Sequence, residues 1–259
     1  VVRLVGSEMC IRDRFTAIDS VPLTAIAFFM LTGELMTSAT ITDRLVALSR
    51  ALIGRIKGGL AQVNVLVSMF FAGMNGSVVA DTATVGALVL PAMKKAGYPA
   101  AFSAAVTGVS STIGGIIPPS IMMIVLANAT EISIASLFAA GIVPGILIGV
   151  VIMVINHYFA VKYNFERSDE PFSVRRAGKE LYRSSFALLI PLVLVGSVMG
   201  GVASVVEAGA ITALVALFTG VFVYRTIKWK DCTGAFRRAF RNSAMVFIII
   251  AASGPFSWL

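Results

Sequence analysis

The ten residues STIGGIIPPS, at 111–120, limit most strongly what this chain can fold into. Gly114-Gly115 and Pro118-Pro119 cannot belong to one unbroken helix. Proline lacks a backbone donor and clashes with the preceding turn, and the residue before it is pushed toward extended geometry. The flanks at 100–112 and 120–128 are helix-like and apolar. In water such a break would be an ordinary loop, and an extramembrane loop is the competing reading here. The chain is 58% hydrophobic and only 13% charged, with a mean hydropathy of +0.91. Soluble domains carry roughly 25% charged residues, so lipid is the expected solvent for much of this surface. Irregular backbone at membrane depth survives only where protein or a polar cavity satisfies it. The segment therefore reads as a discontinuous helix with an unwound centre. Its freed carbonyls, with the hydroxyls of Ser110, Ser111, Thr112 and Ser120, are hard oxygen donors of the kind an alkali cation takes.

A second segment breaks the same rule. AGMNGSVVAD, at 72–81, sets Gly73, Asn75, Gly76, Ser77 and Asp81 among strong hydrophobics. Gly and Asn favour turns over helix interiors. Asp81, followed by Thr82 and Thr84, suits the start of a new half-helix with Asp as its cap. The pattern predicts the tip of a helical hairpin. The alternative is a tight small-residue packing surface with Asp81 only as a cap. Acidic residues within apolar stretches are costly and mark function by default. Here they are Glu34, Asp81 and Glu207, with Glu131 in a predicted loop and no Lys or Arg close by in sequence. For Glu34 and Glu207 helix-end positions near water are the favoured reading, and Asp81 is the strongest functional candidate.

The formal net charge of +8 is not spread over a face. Outside residues 1–14, the Lys and Arg residues fall at 44–57, 94–95, 162–183 and 225–241. No nucleic-acid-binding module is visible, and the expectation is a lipid bilayer and no nucleic acid. If all four clusters face the cytoplasm, the apolar segments between them cross an even number of times or re-enter. Residues 58–93 then fit a re-entrant hairpin or a short helix pair. Residues 96–161 split near Asn128–Ile132, and 185–224 split at Gly200-Gly201. Residues 15–40 hold a transmembrane helix. Residues 41–57 carry apolar positions at helical spacing with interspersed Arg and Lys, predicting an amphipathic interfacial helix or a connecting helix. Residues 162–184, with Pro171, read as a cytoplasmic loop, and 185–259 as further transmembrane helices that are cut short. Residues 1–14, VVRLVGSEMCIRDR, resemble a recurrent spurious translation of sequencing-adapter DNA and read as a non-native leader. Cys10, Cys232 and the single His157 make neither a disulfide framework nor a metal cluster. No Walker A pattern is present. Without a nucleophile–base pair, paired carboxylates or metal ligands, no enzyme and no cofactor is expected.

The segments FFMLTGELM (28–36), RIKGGLAQVNVLVSMFFAGMNGSVVADTATVGALVLPAMKKAGY (55–98), SSTIGGIIPPSIMMIVLA (110–127) and LFAAGIVPGILIG (137–149), with GG…EA at 200–208, occur in this order. Together they resemble the large membrane subunit of the tripartite ATP-independent periplasmic (TRAP) transporters. That resemblance implies an all-α polytopic membrane protein of the wider ion-transporter superfamily. It further implies an elevator-type transporter half with a re-entrant hairpin and a broken helix, the first repeat at 58–161 and the second inverted repeat missing. The implied activity is Na⁺-coupled uptake of an organic anion such as a dicarboxylate, keto acid or sialic acid. The implied partners are a periplasmic substrate-binding protein and a small membrane subunit, in the bacterial inner membrane. By this resemblance Asn75, Gly76 and Ser77 at the hairpin tip, with Ser111, Thr112, Gly114 and Pro118 at the broken helix, would bind the coupling cation. Ser77, Asp81, Ser110, Pro119 and Ser120 would contribute half of the substrate site.

One segment departs from the family pattern. Where the family commonly has Thr-Pro-Thr-Glu, this chain has Ser204-Val205-Val206-Glu207, so a polar role there is not carried over. With the second repeat absent, the segment alone is expected not to transport. A stand-alone cation/anion symporter of the same superfamily is the alternative; an ABC permease and a non-transporting membrane scaffold are more remote.

Overall fold

The computed structural model describes residues 11–54, 56–165 and 174–254. The leader positions 1–10, the loop residues Glu166, Asp169, Glu170 and Pro171, positions 255–259 and the side chain of Asn75 lie outside the described residues. The described residues are helical and contain no strand. The helices are α1 (Val21–Ser38), α2 (Ile41–Ile53), α3 (Gly59–Asn75), α4 (Val78–Lys95), α5 (Ala100–Ser111), α6 (Ile121–Thr130), α7 (Ile134–Lys162), α8 (Val174–Met199), α9 (Val205–Phe218) and α10 (Trp229–Ser253). A single 3₁₀ turn, Thr112–Gly115, follows α5, and a π turn, Thr219–Val223, follows α9. Residues 11–18 are also helical.

Among the described residues, Val21–Ser38, Ile134–Lys162, Ala177–Met199 and Val205–Val223 are long and apolar enough to cross a membrane. A bilayer core of about 30 Å needs roughly 20 residues of helix. The chain is a multi-pass membrane protein. The exposed face of α7 carries Val143, Leu147, Val151 and Val154, as a lipid-facing helix should.

Lipid tails are as apolar as leucine, so these helices associate by close packing and polar contacts more than by apolar burial. The sequence meets that demand with small residues. On α7, Gly141, Gly145 and Gly149 recur every fourth position. A Cβ on them would fall 2.5 Å from the Ile116 carbonyl oxygen, 2.4 Å from Ile117 Cγ1 and 2.5 Å from Met69 Sδ respectively. This stripe lets α7 lie directly on α3 and on the chain just after the 3₁₀ turn. Gly209 of α9 likewise sits against Phe28 and Phe29 of α1.

Helix α3 lies at the centre, in contact with α2, α4, α5, α7 and the 3₁₀ turn. One core, including Phe71, Met74, Val85, Met93 and Ile113, surrounds it, and a second, including Phe29, Ile124 and Phe138, joins α1 to α6 and α7. The predicted break near Asn128–Ile132 spans the last turn of α6 and the start of the α6–α7 connection, and that at Gly200-Gly201 falls in the α8–α9 connection. Two details differ from the sequence reading. The expected 162–184 loop is shorter, because α8 already begins at Val174. The apolar face of α2 is also packed inside the protein, with Ile41, Leu45 and Leu48 fully buried and α3 and α8 against it.

Candidate functional site

The hairpin tip is two residues wide. Helix α3 ends at Asn75, and Gly76 closes it in the left-handed region (φ 59°), donating its N–H to the Ala72 carbonyl at 3.3 Å. A left-handed residue after the last turn is a common helix stop, and glycine takes it without a Cβ penalty. Ser77 then caps α4, its hydroxyl accepting from the Ala80 N–H at 3.4 Å. The cap is therefore Ser77 and not Asp81, which lies a full turn inside α4. The reason is geometric: a cap must be extended and one step before the first helical residue, and Ser77 (φ −118°, ψ 112°) meets that requirement.

The broken helix has the expected form. Helix α5 runs to Ser111, tightens into the 3₁₀ turn, and gives way to an irregular stretch containing a cis Pro118-Pro119 peptide. Ser120 restarts the chain as α6. It accepts from the Met123 N–H at 3.4 Å and donates to the Gly115 carbonyl at 2.8 Å, so one hydroxyl both caps α6 and ties up the unwound centre.

The two breaks meet. The Gly76 carbonyl accepts from the Ile121 N–H at 3.3 Å. A Cβ on Gly76 would lie 2.3 Å from the Pro119 carbonyl oxygen, and one on Gly114 would lie 3.8 Å from the backbone of Ser77 and Val78. A Cβ on Gly73 would come within 3.7 Å of the Pro118 carbonyl oxygen. Thus Gly76, Ser77, Gly114, Pro118, Pro119 and Ser120, separated by up to 44 positions in sequence, come together main chain to main chain.

The remaining candidates are placed differently. Ser110 and Ser111 are fully buried and donate to the Thr107 carbonyl at 3.1 and 2.8 Å. Thr112 is exposed and donates to the Val109 carbonyl at 2.7 Å. Of the expected substrate-binding set, Asp81, Ser110, Pro119 and Ser120 are buried within this chain, and Ser77 alone is partly exposed.

Other acidic residues are accounted for structurally. Glu207 completes a capping box with Ser204: its carboxylate accepts from the Ser204 N–H at 2.7 Å, and its own N–H donates to Ser204 Oγ at 3.3 Å. Glu34 has a cationic partner far away in sequence. Arg238 Nε donates to its Oε2 at 2.7 Å and Asn242 Nδ2 to its Oε1 at 3.1 Å, which pins α10 to α1. Three polar residues on α3 were not singled out from sequence. Gln62, Asn64 and Ser68 are all buried. Their signal was available, as three polar side chains within the otherwise apolar run 59–75, with Asn64 and Ser68 one turn apart.

Comparison with known proteins bears on the whole chain. The family model described as the tripartite ATP-independent periplasmic transporter, DctM component, matches residues 3–259, including most of the 1–14 stretch. The chain is 32% identical over 254 residues to the sialic acid TRAP transporter large permease protein SiaM of Vibrio cholerae, covering 98% of this chain and 59% of that protein. It is 35% identical over 237 residues to the C4-dicarboxylate TRAP transporter large permease protein DctM of Pseudomonas aeruginosa, covering 92% and 55%. It is 34% identical over 241 residues to the 2,3-diketo-L-gulonate TRAP transporter large permease protein YiaN of Escherichia coli, covering 93% and 56%. The chain thus spans a little over half the length of these relatives.

Proposed function

We propose, from the premise that this chain belongs to the DctM family of TRAP transporter large permeases, that it forms part of a permease for solute uptake driven by a Na⁺ gradient. The solute is an organic anion of the sialic acid, dicarboxylate or keto-acid class, the kinds of molecule its relatives are named for. A periplasmic binding protein delivers it, a small membrane subunit accompanies the permease, and the assembly sits in the bacterial inner membrane.

The observation that carries this reading is the backbone apposition of hairpin tip and broken helix. Two helix starts, at Ser77 and Ser120, lie beside an unwound stretch whose Pro119 carbonyl oxygen would lie 2.3 Å from a Cβ on Gly76. Helix N-termini carry partial positive charge and favour anions. Unwound carbonyls favour alkali cations, and secondary transporters use both near the bilayer midplane. On this reading Gly76, Ser77, Gly114 and Pro118 line the coupling cation's position, while Asn75, Ser111 and Thr112 are assigned to it by the family resemblance alone. The anionic solute approaches from the Ser77 side, the exposed edge of the tip.

The test uses the complete permease with its small subunit and binding protein, reconstituted in proteoliposomes. Ser77→Ala and Ser111→Ala should each raise the Na⁺ concentration needed for half-maximal uptake. An unchanged Na⁺ dependence in both variants rules out these residues. Uptake that ignores Na⁺ in the unsubstituted protein rules out Na⁺ coupling altogether.

A further inference from the structure

Helix α10 changes character halfway along. Its first half carries Lys230, Arg237, Arg238 and Arg241, and no charged residue occurs from Asn242 to Gly254. Across that change, α10 and α1 border a groove of about 490 Å³ that reaches Ile18. Phe28 and Leu31 of α1 face Phe240 and Phe247 of α10 across it, and Ser243 is its one polar lining residue among the described residues. Phe240 is 79% exposed, so the groove opens outward. Its volume falls in the range of about 300–1,000 Å³ that holds small molecules.

Two observations set this groove apart from an ordinary helix seam. Ser243 is only 4% exposed, and its hydroxyl has no hydrogen-bond partner among the described residues. A buried hydroxyl costs free energy unless something accepts its proton. Arg237 and Arg241 are exposed and enter no ion pair among the described residues, whereas Arg238 between them is tied to Glu34 and Ser38. Four positions apart, Arg237 and Arg241 share one side of α10. Each directly follows a groove phenylalanine, Phe236 and Phe240, so both flank the apolar stripe.

Along α10 the order is two arginines without ion pairs, then a hydroxyl lacking an acceptor about 3 Å further on, then hydrocarbon alone. A phospholipid has the same order: phosphate, ester carbonyls, acyl chain. By the positive-inside rule the basic end faces the cytoplasm. We propose that this groove holds one anionic phospholipid of the cytoplasmic leaflet. Arg237 and Arg241 take its phosphate, Ser243 donates to an ester carbonyl, and an acyl chain runs past Phe247 toward Ile18. The tail supplies little selectivity, because the surrounding tails are equally apolar. The head supplies it: basic pockets between membrane helices on the cytoplasmic side hold anionic headgroups, and the guanidinium fork matches phosphate oxygens. The lipid would sit on the α1–α10 seam that Glu34 and Arg238 clamp, and the proposal does not depend on the coupling ion.

The experiment is native mass spectrometry of the purified complete permease with its small subunit, titrated in detergent with phosphatidylglycerol or with phosphatidylcholine. The unsubstituted protein should show a saturable phosphatidylglycerol site that phosphatidylcholine fills more weakly. Arg237→Gln and Arg241→Gln should each weaken phosphatidylglycerol about fivefold, and about thirtyfold together. That is the contribution of about 1 kcal/mol per basic side chain near an anionic surface, at about 1.4 kcal/mol per tenfold. Phosphatidylcholine binding should not change in these variants. Ser243→Ala should weaken both lipids, since both carry ester carbonyls. Lys94→Gln with Lys95→Gln, in a separate basic pair, should alter neither. Unaltered phosphatidylglycerol affinity in the double arginine variant overturns the proposal. So does an equal loss in the double lysine variant, which would mark a general surface field. A benzophenone side chain at position 247 should crosslink to the lipid; crosslinking instead to the rest of the permease or to the small subunit shows that protein covers the groove, and also overturns the proposal.

Discussion

Replacing Gly76 by alanine should do far more damage than the same replacement at Gly97. Both glycines hold positive φ, 59° and 78°, so both substitutions incur the left-handed penalty of about 1–2 kcal/mol. Their surroundings differ. At Gly97 nothing lies within 4 Å of an added Cβ, whereas at Gly76 it would sit 2.3 Å from the Pro119 carbonyl oxygen and 3.0 Å from Ser120 Cα. These are main-chain atoms, so no side chain can swing away. Ordinary contact requires roughly 3.5 Å, so tip and broken helix must part by about 1 Å. That motion breaks the bond from the Ile121 N–H to the Gly76 carbonyl, a further loss of about 1 kcal/mol. The total is about 2–3 kcal/mol at Gly76 before residual clash is counted. On the proposed reading of the tip as a cation site, the functional consequence exceeds the stability cost, because metal–ligand distances tolerate only about 0.2 Å. Gly76→Ala in the complete permease should lose saturable Na⁺-dependent uptake while still assembling, and Gly97→Ala should transport nearly normally. Proteoliposome uptake across a Na⁺ series, with thermal unfolding in detergent alongside, measures both. Equal Na⁺ curves for the two variants would refute the close-contact argument, since they differ only in what surrounds the added methyl.

The Glu34–Arg238 pair is half-exposed on the arginine side, so its coupling is discounted for solvent. A double-mutant cycle of Glu34→Gln and Arg238→Gln should give a coupling of about 1 kcal/mol, read by thermal unfolding, and a value of zero would remove the pair as the clamp between α1 and α10. Ser204→Ala removes the cap of α9 and should cost about 1 kcal/mol; Ser204→Asp, which restores a capping oxygen, should recover most of it. Tyr224, just beyond α9, donates its hydroxyl to the Arg183 carbonyl at 3.0 Å, with the Arg44 guanidinium over its ring at 3.9 Å. Burial raises its phenol above the ordinary 10.0, a shift only partly offset by Arg44. The folded state thus keeps a proton that the unfolded chain releases, and stability should fall as pH rises past about 10. Tyr224→Phe should flatten that alkaline slope, and an unchanged slope would show that another group sets it.

The fold was legible where the backbone itself had to break. Gly-Gly followed by Pro-Pro cannot be helical, and Asn75-Gly76-Ser77 inside an apolar run can scarcely be anything but a turn. Hairpin and broken helix therefore follow from local sequence. What sequence could not provide is partnership at a distance. Glu34 looked unpaired because its arginine lies 204 positions away, and no local pattern encodes that contact. Asp81 was misassigned as a cap because aspartate and serine compete for that role. The choice of Ser77 depended on where α4 begins, which is fixed by the left-handed turn at Gly76. The polar face of α3 was missed for a different reason. Asn64 and Ser68 look like incidental polar residues until α5 is laid against them, where Asn64 Nδ2 donates to Thr107 Oγ1 at 2.7 Å and Ser68 Oγ lies 3.2 Å from Ser110 Oγ.

The same physics explains the composition of the tip. Charged side chains would fix an ion more strongly, yet the meeting of the two breaks contains none, and its contacts run from main chain to main chain. On the proposed reading, carbonyls and helix starts present partial charges, which would bind an alkali ion weakly enough for release. Only glycine, proline and small hydroxyl residues let two backbones approach so closely. The full charge, Asp81, is withdrawn one turn into the helix packing and is fully buried. On the proposed reading, substitutions at Gly76 should therefore disturb solute and cation together, because one residue holds both breaks in place.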